Sequence, residues 1–285
     1  METDVDEVAS VSSVPDVLGW VLSVLNSAPA AVLTDFDGTL SQVAPVPDAA
    51  FLHPGVARVL PELNERLDLL AVITGRATAD AAEKIGVPDL LYVGNHGLEW
   101  SEKGVYVAHP AGVEAERAVT ETLAAIEADL KAEEIDLTGL LFENKRLSAS
   151  IHYRLMADPM RFEARLLPIA ERRAAEHGLR LSGGKMTLEL RPTSNISKGT
   201  AVEQIVKDRG LNGAMFFGDD VTDVDAFRTL KRLRAEGLLK SALAVGVLSA
   251  DTHPSVIAES DVLLGSVDDV ASLFVALAER LAPAK

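Results

Sequence analysis

Six short apolar runs, each ending in a polar turn, constrain the fold of this 285-residue chain more than any other feature. They are "AAVLTDFDG", "LDLLAVITGR" and "DLLYVGNHG" near the N-terminus, and "GAMFFGDD", "SALAVGV" and "DVLLG" near the C-terminus. Helical patterns such as "HPGVARVLPELNERL" and "SKGTAVEQIVKDRG" separate several of them. Continuous apolar strands that alternate with helices are typical of a parallel sheet covered on both faces. The sequence therefore predicts a doubly wound, mostly parallel α/β domain that binds ligands at the carboxyl ends of its strands.

The middle of the chain shows a different pattern, in which apolar and polar residues alternate. A long helix rich in Ala and Glu is predicted over 112–134, and a second helix over about 158–177. The segments "LLFENKRLSASIHYRL" and "GGKMTLELR" alternate strictly, which is typical of strands with one buried and one solvated face. We therefore predict an inserted α+β unit, residues 111–188, within an α/β domain made of residues 1–110 and 189–285.

The charge balance excludes some classes of partner. The chain has 43 acidic residues against 27 Lys and Arg, a formal net charge of −16, so nucleic acid and anionic membranes would repel it. It has no Cys, which excludes disulfides, thiolate catalysis and Cys-based zinc sites and fits a cytoplasmic location. After the acidic stretch "METDVDEVASVSSVPD", the segment "VLGWVLSVLNSAPAAVL" lacks basic flanks and is interrupted by polar residues. We expect a short amphipathic helix there rather than a signal peptide or membrane span, and a monomer is compatible with the sequence.

Two clusters of acidic residues follow predicted strands. In "DFDGTL", Asp35 and Asp37 stand at a strand end, where such acids serve as metal ligand, nucleophile or proton donor. Asp and Gly are also common turn formers, so a plain turn at Gly38 is the alternative. In "FFGDDVTDVDAF", a divalent cation would offset the repulsion between close acids, whereas a solvated helix N-terminus is the alternative. The acids of this second cluster are Asp219, Asp220, Asp223 and Asp225.

Three further residues are candidates for holding an anion. In "SNISKGTAVEQIV", Ser197 is placed to cap a helix whose first turn contains Lys198. The helix dipole disfavours a cation there, so this lysine indicates an anion held beside the helix end, unless it is simply exposed. In "VITGR", Thr74 offers a hydroxyl and Arg76 a two-pronged donor for an anionic oxygen. Taken alone, this last motif has little specificity.

Along the chain, the acid pair comes first, followed by the hydroxyl, the lysine and the acid cluster. In this order of motifs the chain resembles the haloacid dehalogenase superfamily of phosphatases. The resemblance implies a Rossmann-like core with an inserted cap domain. It also implies that Asp35 is the nucleophile that forms an aspartyl-phosphate and that Asp37 is the general acid and then the base. Thr74 and Lys198 would hold the phosphoryl oxygens, and Asp219 would join Asp35 and the Asp37 carbonyl in binding Mg²⁺, which suits phosphoryl transfer. Two more acids would lie near the metal, Asp220 and Asp223.

The predicted polar faces of the inserted unit indicate the kind of substrate. They carry both charge signs, on Glu143, Lys145, His152, Arg154, Lys185 and Glu189. A polar floor of mixed charge suits a polyhydroxylated sugar, whereas ordinary surface charge on a solvent-facing sheet is the alternative. For His152, a structural role is an equal alternative.

Five blocks narrow the resemblance to the trehalose-6-phosphate phosphatases: "DFDGTLS", "GNHGLE", "FENKRLSASIHYR", "GKMTLELRP" and "GDDVTDVDAF". In that family an E-x-K pair, a later Arg and a K-x-x-x-E pair of the cap grip the disaccharide. The residues implied here are Glu143, Lys145, Arg154, Lys185 and Glu189. Asn95, His96 and Arg76 are further candidates for reaching the substrate, with a structural role equally open for His96. The chain departs from the usual residues of this family at two positions, with Val224 in place of Glu and Thr74 in place of Ser. Neither change removes a required functional group.

The resemblance therefore implies a Mg²⁺-dependent phosphatase that hydrolyses trehalose 6-phosphate to trehalose and phosphate. A related disaccharide or pseudo-disaccharide phosphate, as in secondary metabolism, is an open alternative substrate. The reason is that the sequence does not show which arrangement of sugar hydroxyls the cap recognises. A catalytically inactive regulatory partner of a sugar-phosphate synthase is an alternative of another class. Such modules usually lack the nucleophile or metal acids, which this chain retains in Asp35, Asp37, Lys198 and Asp219.

Overall fold

The structure is a computed structural model that describes residues 11–184 and 186–282. Over these residues the strands are β1 (Ala30–Thr34), β2 (Leu69–Ile73), β3 (Leu91–Gly94), β4 (Glu99–Glu102), β5 (Val105–Ala108), β6 (Leu141–Asn144), β7 (Ala149–His152), β8 (Leu179–Gly184), β9 (Thr187–Pro192), β10 (Gly213–Gly218), β11 (Ser241–Val247) and β12 (Val262–Leu264). The helices are α1 (Val14–Leu25), α2 (Pro54–Arg66), α3 (Thr78–Ile85), α4 (Pro110–Ala132), α5 (Pro159–Glu176), α6 (Lys198–Arg209), α7 (Val221–Ala235), α8 (Pro254–Glu259) and α9 (Val267–Leu281). Short 3₁₀ turns occur at Pro47–Ala49 and Asn95–Gly97.

The larger sheet has the strand order β12-β11-β10-β1-β2-β3-β4-β5. The strands from β12 to β3 are parallel, and they are the six apolar runs of the sequence; β4 and β5 add an antiparallel hairpin. The chain winds outward from β1 through β2 and β3 and then crosses back to β10, on the other side of β1. The carboxyl ends of β1 and β10 therefore meet where the strand order reverses, which is where such sheets bind ligands. The predicted α/β fold class is confirmed.

Helices cover both faces of the larger sheet, because successive side chains of each inner strand point to opposite faces. Val32 of β1 belongs to one apolar cluster, together with Phe274 of α9. Its neighbour Leu33 belongs to the other, together with Val202 of α6 and Phe227 of α7. Each such side chain contributes about 1.5–3 kcal/mol when fully buried, so the two clusters hold the strand ends in fixed positions.

A second, antiparallel sheet has the strand order β6-β7-β9-β8. α4 and α5 cover one face, where Ile151 of β7 and Leu190 of β9 are buried in a third apolar cluster. On the opposite face, Ser148 and Ser150 are buried as well. The predicted alternation is present, and the core covers this polar face at Ser148 and Ser150, which argues against an ordinary solvent-facing sheet.

The predicted inserted unit, residues 111–188, can be compared with these elements. α4 begins at Pro110, beside the first predicted boundary, whereas the boundary between residues 188 and 189 falls inside β9. β9 pairs with β8 along its whole length and with β7 up to Leu190, so its last residues extend the second sheet. The division of the chain into core and cap stays a prediction, and the names are used below for the units built on the larger and the smaller sheet.

The predicted N-terminal amphipathic helix is present as α1. Its buried residues Val17, Val21 and Val24 lie on one side and pack on the larger sheet. Residues 1–10, which contain most of the acidic stretch before it, lie outside the described residues. Among the helices of residues 11–184 and 186–282, none combines the length and apolarity that crossing a membrane requires.

Candidate active site

The loop that follows β1 packs directly against the end of β10. The Asp35 N–H donates to the Phe217 carbonyl at 2.8 Å, so the chain leaves β1 while still paired with β10. Gly38 then turns the chain with a φ of +76°, and a Cβ there would lie 2.1 Å from Asp219 Oδ2. Glycine meets both requirements, because it adopts positive φ freely and has no Cβ. The turn around Gly38 therefore brings the two acidic clusters of the sequence together.

Three carboxylates converge beneath this turn. One oxygen each from Asp35, Asp219 and Asp223 lies within 4.8 Å of the others, and all three residues are buried. Burial raises the pKa of the Asp35 carboxyl well above its usual value; Lys198 opposes this rise, whereas the neighbouring acids add to it. Asp35 Oδ1 is buried and has no hydrogen-bond partner among the described residues. Because Mg²⁺ prefers such oxygen ligands and would offset the crowded negative charge, these residues fit the ion.

Lys198 lies inside the acidic cluster. It is the first residue of α6, directly after the capping residue Ser197, and its side chain is only 1% exposed. Its Nζ lies 2.9 Å from Asp35 Oδ2 and donates to Asp223 Oδ1 at 2.6 Å. Burial lowers the pKa of the ammonium, but the charges of Asp223 and Asp35 outweigh burial and raise it above its usual value. Lys198 is thus a fixed cation beside the candidate nucleophile, and the alternative of an exposed lysine is wrong.

Asp223 organises the loop that follows β10. Its Oδ2 accepts hydrogen bonds from the backbone N–H groups of Asp219 and Asp220, both at 3.0 Å, while its Oδ1 accepts from Lys198. Both carboxylate oxygens of Asp223 therefore accept hydrogen bonds within the protein. Asp223 is thus better suited to fixing the positions of the other groups in the cluster than to binding an ion directly. Asp225 is exposed on α7 and lies outside the cluster.

Thr74 and Arg76 follow β2, and both line the same cleft as Asp37. The Arg76 guanidinium donates two hydrogen bonds to the Asp37 carboxylate, with Nε 2.6 Å from Oδ2 and Nη2 2.8 Å from Oδ1. It also donates to Asp80 Oδ2 at 2.6 Å and to the Pro47 carbonyl at 3.0 Å. Substrate binding by Arg76 stays a prediction, but its two-pronged donor is directed at Asp37. It fixes the direction of this carboxylate, whose side chain is 36% exposed.

The cap meets the core through side chains that were predicted to bind the sugar. Lys145 Nζ donates to the Gly75 carbonyl of the core at 2.9 Å and lies 3.3 Å from Glu189 Oε1. Glu189 Oε2 lies 2.9 Å from Nε2 of His96, on the core turn after β3. Burial lowers the pKa of His96 to about 4, so its ring is neutral at pH 7. These contacts join the two sheets across the cleft.

The remaining sugar-site candidates occupy different places. Asn95 is fully buried and accepts a hydrogen bond from the Ser148 hydroxyl, and it is absent from the described cleft lining. Glu143 and Arg154 line the cap wall of the cleft. Lys185, predicted to bind substrate, lies outside the described residues.

Core and cap enclose a cleft of about 1060 Å³, counting its open mouth. The predicted residues in its lining are Asp35, Asp37, Thr74, Arg76, His96, Lys198, Asp219 and Asp220 from the core, and Glu143, Lys145, Arg154 and Glu189 from the cap. Sequence reasoning missed the apolar core segment 43–47, which also lines the cleft; its position directly after the "DFDGTL" turn was the available signal.

The candidate catalytic groups lie where the strand order reverses and share a cleft with the smaller sheet, an arrangement that fits the haloacid dehalogenase class. Comparison with known proteins narrows this class. A family model for trehalose-phosphatase matches residues 33–259. The chain belongs to the trehalose-phosphatase family.

One curated relative and two solved structures show which individual proteins the chain is similar to. A trehalose-phosphate phosphatase of Mycobacterium tuberculosis is 33% identical over 244 residues, covering 79% of this chain and 59% of that protein. The C-terminal domain of C. albicans trehalose-6-phosphate phosphatase has a TM-score of 0.76 at 20% identity, covering 96% of this chain and 99% of its own. The C-terminal domain of Candida albicans trehalose synthase regulatory protein has a TM-score of 0.64 at 12% identity, and the match covers 94% of this chain and 99% of that one. The chain spans about three fifths of the length of the curated relatives it matches, and the two solved structures establish the fold alone.

Proposed function

We propose that this protein hydrolyses trehalose 6-phosphate to trehalose and phosphate, with Mg²⁺ as cofactor and an aspartyl-phosphate intermediate. The observation that carries the proposal is the shared cleft, in which Lys198 and Asp35 form one side and the cap residues Glu143 and Lys145 form the other. A sugar phosphate carries charge at one end and hydroxyls at the other, which complements these two walls. Membership of the trehalose-phosphatase family supports trehalose as the sugar.

The core residues supply the chemistry in two steps. The Asp35 carboxylate attacks phosphorus and forms the aspartyl-phosphate while the bond to the sugar oxygen breaks, and Asp37 protonates that oxygen as it leaves. Asp37 then takes a proton from a water molecule that attacks the same phosphorus, which releases phosphate and restores the Asp35 carboxylate. Lys198 and Thr74 hold the phosphoryl oxygens, and the charge of Lys198 favours the ionised form of Asp35 against the effect of burial.

The metal site of this proposal consists of Asp35, Asp219 and the backbone carbonyl of Asp37. The buried Asp35 oxygen that has no hydrogen-bond partner among the described residues supports it. When bound there, Mg²⁺ neutralises charge on the phosphoryl oxygens and so reduces their repulsion of the attacking carboxylate.

Mg²⁺ is expected to stabilise the protein against unfolding, and Asp219→Asn to remove most of this effect. An ion that binds only the folded chain adds about 2.7 kcal/mol to the unfolding free energy at 100 times its dissociation constant. The measurement is the thermal midpoint with and without Mg²⁺, which does not depend on activity. Asp225→Asn removes an exposed carboxylate of α7 and serves as the matched control, which should keep the full shift. Equal shifts in both variants would contradict the metal assignment.

Trehalose 6-phosphate is expected to be hydrolysed at least about tenfold more efficiently than sucrose 6-phosphate or glucose 6-phosphate, a difference of about 1.4 kcal/mol in transition-state binding. Glucose 6-phosphate lacks the second ring that the cap wall would contact, and sucrose 6-phosphate presents its hydroxyls differently. Phosphate release under kcat/KM conditions measures the preference. If another disaccharide phosphate is hydrolysed more efficiently, that ester is the substrate instead of trehalose 6-phosphate. If none of the esters releases phosphate, the result supports the alternative of an inactive regulatory partner.

The wider setting of the activity is also part of the proposal. A small sugar phosphate is the expected ligand, and the predicted cytoplasmic location rests on the absence of cysteine. The exclusion of nucleic acid and membranes rests on the net charge of −16. These points stay predictions from composition.

A further inference from the structure

His152 lines the cleft, but the proposed chemical steps do not use it. Its ring lies between side chains of two neighbouring strands. Nε2 is 2.8 Å from Glu143 Oε2 on β6, and Nδ1 is 3.2 Å from Thr187 Oγ1 on β9. All three residues belong to the cleft lining. The ring is therefore fixed from both sides by polar contacts on the cap wall.

The chemistry of these partners determines the direction of the hydrogen bonds. An ionised carboxylate only accepts, so Nε2 carries the hydrogen and donates to Glu143. In the neutral ring, Nδ1 then accepts from the Thr187 hydroxyl. Burial raises the pKa of Glu143, but the hydrogen bond from His152 and the charge of Lys145 outweigh burial and lower this pKa below its usual value. Glu143 is thus held as an oriented carboxylate.

The apolar core of the cap does not depend on His152. Along β7, Ala149 and Ile151 point into the cluster covered by α4 and α5. His152 is instead part of the cleft lining, beside Ser150. A substitution at position 152 therefore leaves the apolar packing of the cap in place, so an effect on ligand binding can be separated from an effect on folding.

We propose that His152 is a positioning residue that orients the Glu143 carboxylate toward the hydroxyls of the leaving sugar. This inference rests on the proposed function, in which the cap wall binds the sugar. A carboxylate has about four acceptor positions, and the hydrogen bond from His152 uses one of them. Without the ring, the Glu143 side chain gains rotational freedom, and a sugar that binds to it has to order it first.

The test uses the full chain with His152→Leu, His152→Gln, Glu143→Ala and the double variant His152→Leu with Glu143→Ala. Wild type is first assayed on trehalose 6-phosphate, sucrose 6-phosphate, glucose 6-phosphate and phenyl phosphate, and KM and kcat of every variant are then measured on the sugar ester that wild type prefers. His177→Leu is the matched control, because His177 is also a cap histidine in contact with a threonine hydroxyl, that of Thr122, but lies outside the cleft lining.

His152→Leu is expected to raise KM about tenfold, the scale of one hydrogen bond to a charged group, with a smaller change in kcat. The loss in kcat/KM should be larger on the sugar ester than on phenyl phosphate. His152→Gln retains an N–H donor and should recover most of the KM. If His152 acts through Glu143, the double variant has the KM of Glu143→Ala, because without the acceptor of Glu143 the second substitution has no hydrogen bond left to remove.

Three results would overturn the inference. KM effects that multiply in the double variant mean that His152 binds the sugar independently of Glu143. A failure of His152→Gln to recover KM excludes the donated hydrogen bond as the cause. The same KM change in His177→Leu means a general effect on the cap.

The substrate panel separates this inference from the proposed function. If wild type prefers sucrose 6-phosphate or glucose 6-phosphate, trehalose 6-phosphate is the wrong substrate, yet the coupling between His152 and Glu143 is still measured on the preferred ester. If wild type turns over phenyl phosphate best, both proposals are contradicted.

Discussion

Asp35→Asn is expected to lower the turnover of trehalose 6-phosphate by at least about 10⁴-fold, because a carboxamide cannot attack phosphorus to form the intermediate. Losses of this order follow removal of the nucleophile in other hydrolases that form a covalent intermediate. Phosphate release at saturating substrate measures the loss. Residual turnover within about tenfold of wild type would contradict the nucleophile assignment.

The same variant is expected to stay folded. Asn has nearly the volume of Asp, and burial raises the pKa of Asp35, which means that a charge at this position is costly in the folded chain. Without added Mg²⁺, the thermal midpoint of Asp35→Asn should therefore equal or exceed that of wild type. Asp225→Asn, which changes the net charge equally at an exposed position of α7, should keep both its midpoint and its turnover.

Covalent labelling completes this test by following the phosphoryl group itself. Asp37→Asn, assayed with p-nitrophenyl phosphate, should accumulate an acid-stable phosphoryl label on the peptide that contains Asp35, because the base that activates water is missing. Asp35→Asn should carry no label under the same conditions. A label on any other peptide would assign the nucleophile elsewhere.

Arg76→Gln is expected to lower turnover of trehalose 6-phosphate by about 10²-fold, at the lower end of the effect of a general acid. The initial burst of p-nitrophenolate release from p-nitrophenyl phosphate, which precedes the step that needs Asp37 as a base, should slow by less than about tenfold. The guanidinium holds both carboxylate oxygens of Asp37, at 2.6 and 2.8 Å, and a shortened neutral side chain cannot do so. A sugar oxygen needs a proton to leave, whereas p-nitrophenolate leaves without one. The measurement is the ratio of the turnover number for trehalose 6-phosphate to the burst rate of p-nitrophenolate release.

The control for this prediction is Lys84→Gln. Lys84 Nζ lies 3.7 Å from Asp80, the second carboxylate that contacts Arg76, but makes no contact with Asp37 in the described structure. Lys84→Gln should leave the ratio of the turnover number for trehalose 6-phosphate to the burst rate unchanged. Equal losses on both substrates in Arg76→Gln would instead support the role predicted from sequence, in which Arg76 binds the phosphate.

The parallel part of the fold was predictable because its signal is local and repeated. Each of the six apolar runs became a strand, since residues buried on both faces have to be apolar along their whole length. The β4–β5 hairpin was missed, although "WSEKGVYVA" carries a two-residue turn in which Lys103 and Gly104 both adopt positive φ. Its second strand exposes Val105 and Val107 as well as Tyr106, so it lacks the alternation that marks a half-buried strand.

The site was predictable to the level of motifs, but the pairing of its side chains was not. Strand ends of one parallel sheet share an edge, so the proximity of Asp35 and Asp219 followed from the order of the runs. Whether Arg76 faces a substrate or Asp37 depends on rotamers and on the path of the loop between them. The contacts of Lys145 depend on the orientation of the cap relative to the core. The spacing of motifs along the sequence does not determine that orientation.

Under the proposed function, the contacts across the cleft turn sugar binding into an exchange of partners. Lys145 donates to the Gly75 carbonyl and lies beside Glu189, so a sugar hydroxyl that bonds Lys145 would replace an existing partner. Net affinity is then the small difference between two sets of hydrogen bonds, whereas a sugar that displaces a partner without replacing it leaves a buried polar group unpaired. If the sugar binds as proposed, the Gly75 carbonyl and Glu189 compete with it for Lys145, which favours release of the product.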